Sequence, residues 1–199
     1  MKRLRKKIFL LLVSVWLVIY ATNRLSFFST DLPSSASTNS TTNIELEEVE
    51  FVRVVDGDTI VVKLDGKDTK IRLLCINTPE SVHLDKSKNN VYGKKASKYT
   101  KKLLEDTEYV YLEFDEERED IYGRTLAYVW LSDDDIDTAA NKDIKKYMLN
   151  AILVKAGYAV TVVYEPNKLH ADYFYKLQNT AKKNKVGLWK YKGFISLVE

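Results

Sequence analysis

The chain of 199 residues is long enough for one medium domain plus an appendage and short for two domains. Hydrophobic residues at 45% exclude a wholly disordered chain, and a single cysteine, Cys75, excludes an intrachain disulfide or a cysteine zinc cluster. The net charge of +3 misleads: residues 1–30 hold six Lys/Arg and no acid, leaving 25 basic against 28 acidic groups, so the remainder lacks the broad basic footprint of a general nucleic-acid binder.

In chain order, MKRLRKK is a basic start and Ile8 to Ala21 an uncharged apolar run. That run is short for a bilayer core of roughly 30 Å, which takes about 20 helical residues, and it has the length of a signal-peptide core. Residues 1–28 are read as an export signal, cleaved or retained as an N-terminal membrane anchor, with the remainder extracytoplasmic (secreted or tethered to the cell membrane). Residues 29–45 form a Ser/Thr/Asn-rich linker that has too few apolar groups to offset its ordering entropy. The folded domain is expected over 46–199.

Val49 to Val55 and Thr59 to Leu64 read as strands around Asp56-Gly57-Asp58. Asp65-Gly66 signals a tight hairpin, because a type I′ turn needs positive φ at both central residues. Thr69 to Ile76 makes a third strand, stopped by Pro79, with Arg72 on one face beside Leu74 and Ile76. Ser81 to Tyr92 is a polar surface loop, followed by an amphipathic helix, Lys94 to Glu105, whose lysines are read as its solvated face. Tyr109 to Phe114 and Thr125 to Leu131 complete five strands. A second helix is expected from Ile144 to Ala156, with Asp143 as N-cap and Gly157 as C-cap, and a third from Leu169 to Lys185. Leu188 and Trp189 are expected to close the core. The pattern fits an α+β fold, a five-stranded OB-fold β-barrel with three α-helices.

Several residues suit phosphate chemistry. Cys75, in the run LLCI, reads as a buried structural thiol. Arg72 is costly among hydrophobic neighbours unless it is paired or offered to an anion. A hard cation takes oxygen ligands, which Asp58, Asn77 and Thr78 provide. A water must lose a proton, which suits a carboxylate such as Glu80. Two guanidiniums, Arg72 and Arg124, can hold the phosphate and stabilise charge growing in the transition state. Each motif alone is also ordinary turn chemistry. His83 and His170 each stand alone and are given no catalytic role.

Taken together, VDGDT…IRLLCINTPE…YGKKASKYTKKLLE…DIYGRTLAYVW…VVYEPN closely resembles the staphylococcal-nuclease (thermonuclease) family over about Glu47 to Trp189. The resemblance implies an OB-fold enzyme that hydrolyses DNA and RNA with Ca²⁺ and releases the 5′-oxygen as leaving group. It implies Asp58 as the metal carboxylate with Asp56 nearby, and the Thr78 carbonyl as a further metal ligand. Arg72 and Arg124 match the phosphate-clamping arginines and Glu80 the general base, while Tyr122 and Tyr164 match positions that contact the nucleotide. Departures from the family pattern are Asn77, where a second metal carboxylate is usual, Val162 for a tyrosine, and Glu165 where a lysine is familiar. Weaker Ca²⁺ binding is the expected consequence of Asn77. The contrasting reading is a non-catalytic, membrane-tethered module that binds nucleic acid or protein. A monomer is expected.

Overall fold

The computed structural model describes residues 45–80, 90–132 and 143–198. The proposed N-terminal signal or anchor, the linker up to residue 44, and His83 lie outside the described residues. Among the described residues, no helix is long and apolar enough to cross a membrane.

Five strands close into a barrel: β1 (Glu47–Asp56), β2 (Thr59–Leu64), β3 (Lys67–Leu73), β5 (Tyr109–Glu113) and β6 (Thr125–Trp130), in the spatial order β1-β2-β3-β6-β5. All neighbours are antiparallel except β3 and β6, which run parallel. The expected OB-fold barrel is present. The β2–β3 hairpin turns at Asp65 (φ 51°) and Gly66 (φ 73°), the positive pair that the sequence signal requires. Inside the barrel, Ile60, Val62, Ile71, Leu73, Val110, Leu112, Ala127 and Val129 form one buried core with Val49 of β1, the other four strands each contributing alternate residues. Two register shifts in β1, between Phe51 and Arg53 and between Val54 and Asp56, bend the strand as it runs into the Asp56-Gly57-Asp58 turn.

The third strand is shorter than expected. β3 ends at Leu73, Cys75 adopts φ 58°, and Ile76–Asn77 restart as β4, paired with β7 (Val160–Thr161) in a separate two-stranded sheet. Arg72, Leu74 and Ile76 therefore do not share a strand face. Leu74 and Ile76 enter the core, whereas the Arg72 side chain lines a cleft and is 12% exposed. The break is held by side chains from elsewhere. Asn150 donates through Nδ2 to the Leu74 carbonyl (2.9 Å) and accepts at Oδ1 from the Val129 amide (3.0 Å). Cys75 is buried beside the Tyr128 hydroxyl (3.2 Å) and the Asn167 carbonyl (3.4 Å), and burial pushes its thiol pKa up, as an inert structural cysteine requires.

The helices also depart in detail. α1 (Val91–Leu103) begins three residues before the expected start, because the Asn90 side chain caps it by accepting from the Gly93 amide (2.8 Å). The expected helix from Ile144 to Ala156 is two segments, α2 (Ile144–Tyr147) and α3 (Leu149–Lys155). Between them the buried Met148 is extended and pairs with Trp130, continuing the edge of β6. Asp143 is in helical conformation and makes no side-chain cap bond. α4 (Ala171–Lys183) starts two residues late, and a short helix, α5 (Lys192–Val198), extends past the expected third helix. Leu188 and Trp189, in a 3₁₀ turn over Gly187–Lys190, are buried with Ala181 and Phe194 in a second small cluster, rather than in the barrel core.

His170 is not isolated. It is buried at the start of α4, with Nε2 3.0 Å from Glu113 Oε2, and the same carboxylate accepts from Trp130 Nε1 at 2.8 Å. A buried carboxylate with two ring partners ties β5 and β6 to α4, a structural task.

Gly157 ends α3 at φ 72°, and a Cβ there would lie 2.3 Å from the Val186 carbonyl oxygen. Gly157→Ala thus adds left-handed strain to a backbone clash and is expected to lower unfolding free energy by about 2 kcal/mol or more. Urea denaturation measures it; an unchanged midpoint contradicts this packing.

Candidate active site

A cleft of about 690 Å³ opens on one side of the barrel, and it gathers most of the sequence-predicted site residues: Asp56, Asp58, Arg72, Asn77, Glu80, Tyr122, Arg124 and Tyr164. Thr78 is buried behind it and lines a smaller neighbouring cleft of about 340 Å³ together with Asn77 and Glu80. Barrel topology explains the gathering. Arg72 pairs with Leu126 across the parallel β3–β6 ladder, and Arg124 precedes Leu126 by two residues. With a side-chain period of two, Arg72, Leu126 and Arg124 leave the same face of the sheet. Residues separated by about fifty positions thereby share one wall.

Asp58 is the structural centre. Its Oδ2 accepts from the Thr78 amide (2.8 Å) and the Thr78 hydroxyl (3.1 Å) and sits 3.3 Å from the Arg72 guanidinium, while Oδ1 accepts from the Thr59 hydroxyl (3.0 Å). Arg72 also donates to the Asn77 amide oxygen (3.0 Å) and to the Leu73 carbonyl (2.6 Å). Asp58, Arg72, Asn77 and Thr78 are thus one hydrogen-bonded cluster. Asp56 is buried next to it and accepts from the Gly57 amide at 2.7 Å.

Arg124 is held separately by Asp120. Both Nε and NH2 of the arginine lie 2.6 Å from Asp120 Oδ2, and Oδ1 accepts from the amides of Tyr122 (2.9 Å) and Arg124 (3.0 Å). Burial opposes ionisation of Asp120, but these amides and the guanidinium together hold its carboxyl below the usual range. The guanidinium stands 5.6 Å over the Tyr122 ring. Neither arginine is exhausted, since each guanidinium carries five N–H donors.

Tyr122 and Tyr164 are 77% and 73% exposed, unusual for large rings without a ligand to cover them. Glu80 is exposed at the cleft, and its carbonyl accepts from the Asn90 amide (3.1 Å) at the start of α1. There α1 comes so close that a Cβ on Gly93 would lie 2.3 Å from the Glu80 carbonyl oxygen. About two turns further along, the Thr100 hydroxyl donates to the Gly57 carbonyl (2.8 Å). The helix braces both acidic segments of the cleft.

Three contributors escaped the sequence reading. Asp120, four residues before Arg124, has the spacing of an ordinary charge pair, and that spacing was its signal. Asn167 is buried and latches two loops, its Oδ1 accepting from the Glu117 amide (2.8 Å) and its Nδ2 donating to the Glu117 carbonyl (2.9 Å). Its place in a Pro-Asn turn disguises this role. Thr100, among lysines on α1, carries no distinguishing signal.

Seven carboxylates line the cleft against three bases, Lys70, Arg72 and Arg124, a net of four negative charges. Among the described residues no group of three or more His, Cys, Asp or Glu side chains forms a metal-binding cluster. The Asp58 carboxylate, the Asn77 amide oxygen and the Thr78 carbonyl are nevertheless all hard oxygen donors, and in an acidic cleft that set fits a hard divalent cation.

Residues 70–191 match the family model described as staphylococcal nuclease homologue. The chain is 34% identical to the thermonuclease of Staphylococcus intermedius, over 96% of this chain and 99% of that protein. It is 37% identical to the thermonuclease of Staphylococcus hyicus, over 74% of this chain and 78% of that protein. A third relative, the SPbeta prophage-derived endonuclease YokF of Bacillus subtilis (strain 168), is 36% identical, over 76% of this chain and 47% of its own length. With the closed barrel, the two same-face arginines and these matches together, the chain belongs to the staphylococcal nuclease family.

Proposed function

We propose that the protein is a calcium-dependent nuclease that hydrolyses phosphodiester bonds of DNA or RNA by attack of water, with the 5′-oxygen as leaving group. The observation that carries the reading is the cleft itself: two arginines line it together, each beside a carboxylate that orients it, among an excess of acids. A lone phosphodiester is repelled by a net of four negative charges, so the arginines alone do not make the site attractive to it. Asp58, Asn77 and Thr78 would hold a divalent cation, which when bound would supply the missing positive charge and polarise the phosphoryl group.

This chain's residues do the rest. Glu80, exposed at the cleft and braced through its backbone by α1, accepts the proton of the attacking water. Arg72, oriented by Asp58, Asn77 and the Leu73 carbonyl, offers its remaining N–H groups to a nonbridging phosphate oxygen. Arg124, aimed by Asp120, meets the charge that grows on phosphorus oxygens in the transition state. The exposed rings of Tyr122 and Tyr164, both at the cleft, offer apolar surface to the nucleotide. Asp56, buried at the cleft, would add negative charge near a bound cation without being a ligand to it.

Cleavage of plasmid and single-stranded DNA in calcium, in chelator, and by Glu80→Ser tests the mechanism. The expected results are loss of activity in chelator and a drop of about 10² to 10⁴-fold for Glu80→Ser. Undiminished cleavage in either case returns the chain to the non-catalytic binding module.

Asn77 sets the cation affinity. Asn77→Asp adds a negative charge beside Asp58 and is expected to tighten calcium binding about tenfold, about 1.4 kcal/mol. Calorimetric titration with calcium alone reads this without any turnover, and equal affinities remove Asn77 from the ligand set.

Asp120 carries a pH signature. Its lowered pKa adds stability that is fully present above the ordinary carboxylate value of about 4 and is lost as pH falls through the lowered folded value. Asp120→Asn is expected to flatten the acid limb of the stability–pH curve and to depress cleavage at neutral pH by misaiming Arg124. Urea unfolding from pH 6 to pH 2, beside neutral-pH rates, measures both; a parallel acid limb in the variant counts against the pairing.

A further inference from the structure

A polynucleotide carries many phosphates besides the one being cleaved, and the acid-rich cleft offers them no attraction. A concentration of positive charge lies elsewhere, on α1. Its exposed lysines Lys95, Lys98, Lys101 and Lys102, joined by Lys190 from the 3₁₀ turn, line a second cleft of about 750 Å³ in which Glu105 is the one acid. None of these lysines is ion-paired to a carboxylate of the described residues.

A merely solvated helix face is convex and bare. Here the lysines rim a concavity walled by aromatic rings. Tyr99 and Tyr158 stack in parallel with centroids 4.2 Å apart and planes at 10°, and both line the cleft. Across it, the ammonium groups of Lys95 and Lys190 stand 5.3 and 5.1 Å from the Tyr191 ring centroid, which draws both charges towards the concavity. At 100° per residue, Lys98 and Lys102 project well away from the buried Ala96, Ser97 and Thr100 that fix α1 against the barrel. The helix that braces the Asp56-Gly57-Asp58 turn through Thr100 therefore presents a basic groove on its outer side.

We propose that this groove binds the sugar-phosphate backbone of single-stranded nucleic acid, holding a stretch of polynucleotide outside the cleaved bond. The proposal rests on the nuclease reading above. Positive charge interleaved with stackable rings is the chemistry that recognises single strands, whose bases are free to leave the stack. A duplex hides its base faces from the recessed rings. An anionic membrane surface is flat and meets protruding apolar side chains, whereas these tyrosines are half-buried in a cleft. From Lys95 to Lys102 the helix rises about 10 Å, and the ammonium groups of Lys95, Lys98 and Lys102 provide for up to about three phosphate contacts along it.

The test uses the full chain with chelator present, so that nothing is cleaved. Binding of a fluorescent 20-residue oligothymidylate is measured by anisotropy over a series of salt concentrations, for the parent and for Lys95→Gln/Lys98→Gln/Lys102→Gln. At about 0.7 counterions per phosphate contact, the magnitude of the log K against log salt slope is expected to fall by about 2 in the variant, with a loss of affinity of about tenfold or more at low salt. An unchanged 20-mer slope in a variant with the parent's melting temperature overturns the proposal. Vesicles containing phosphatidylglycerol form the other arm, and loss of vesicle binding with an unchanged oligonucleotide slope also overturns it, assigning the groove to a membrane. Cleavage of the 20-mer by the parent in calcium is scored separately: a failed nuclease reading shows as no cleavage, a failed groove as an unchanged slope in an active enzyme.

Discussion

The tie between Asp58 and Thr78 governs the arrangement of the candidate site. One carboxylate oxygen takes both the amide and the hydroxyl of a residue twenty positions away, and it also faces the Arg72 guanidinium. That contact fixes the β1–β2 turn against the segment leaving β4, so Asp58, Asn77 and Glu80 converge although they come from different strand ends. Asp58 and its partners are largely withdrawn from water, and hydrogen bonds from charged or multiple donors are worth more there than at the surface. The carboxylate thus organises the cleft through the same oxygens that would suit a cation. On the proposed reading, a cation would share Asp58 and Asn77 with Arg72, linking phosphate-side and metal-side geometry in a single cluster.

The parallel β3–β6 pairing supplies the second constraint. In an all-antiparallel meander, Arg72 and the residues near Arg124 have no reason to meet. Closing the barrel through one parallel ladder places Arg72 beside Leu126 and brings the loop before β6 to the same rim. Arg124 is then aimed locally, by the carboxylate of Asp120 and two loop amides, rather than by the barrel. One arginine is positioned by the scaffold and the other by its own loop, an arrangement in which the second can adjust to substrate without disturbing the core.

Local signals in the sequence carried much of this, and the failures have physical causes. Asp65-Gly66 demanded positive φ and adopted it; alternating apolar residues marked β1, β2, β5 and β6; Gly157 closed α3 as a left-handed cap. Asp56, Asp58 and Glu80 each also read as ordinary turn residues; an arginine inside an apolar run and the family motifs matched in order were what singled the set out, and the fold brings it to one cleft. Breaks inside apolar runs were not legible. Leu74-Cys75-Ile76 reads as continuous strand, and Ile144 to Ala156 as continuous helix, because periodicity does not register a partner from another part of the chain. Asn150 stabilises the first break by bonding Leu74 and Val129 at once, and Met148 makes the second by pairing with Trp130. His170 misled for the same reason: its partner Glu113 is fifty-seven positions away. Tertiary partners overrode local preference in each case.

The distribution of charge connects these features to turnover. A nuclease that gathered all its positive charge in the catalytic cleft would hold the cleaved phosphate as tightly as the intact one. Here the cleft is acidic apart from Lys70 and its two arginines, so on the proposed reading its attraction for phosphate would depend on a cation and on charge that develops in the transition state. Lysine-based attraction for the rest of a polynucleotide sits on α1, where it is exposed, salt-screened and weak per contact. Such contacts raise the local concentration of substrate without adding to the grip on product at the reacting centre. α1 is suited to join the two functions because its inner face is immobilised by Thr100 on Gly57 and by Gly93 against Glu80, while its outer face remains open to a long anionic chain.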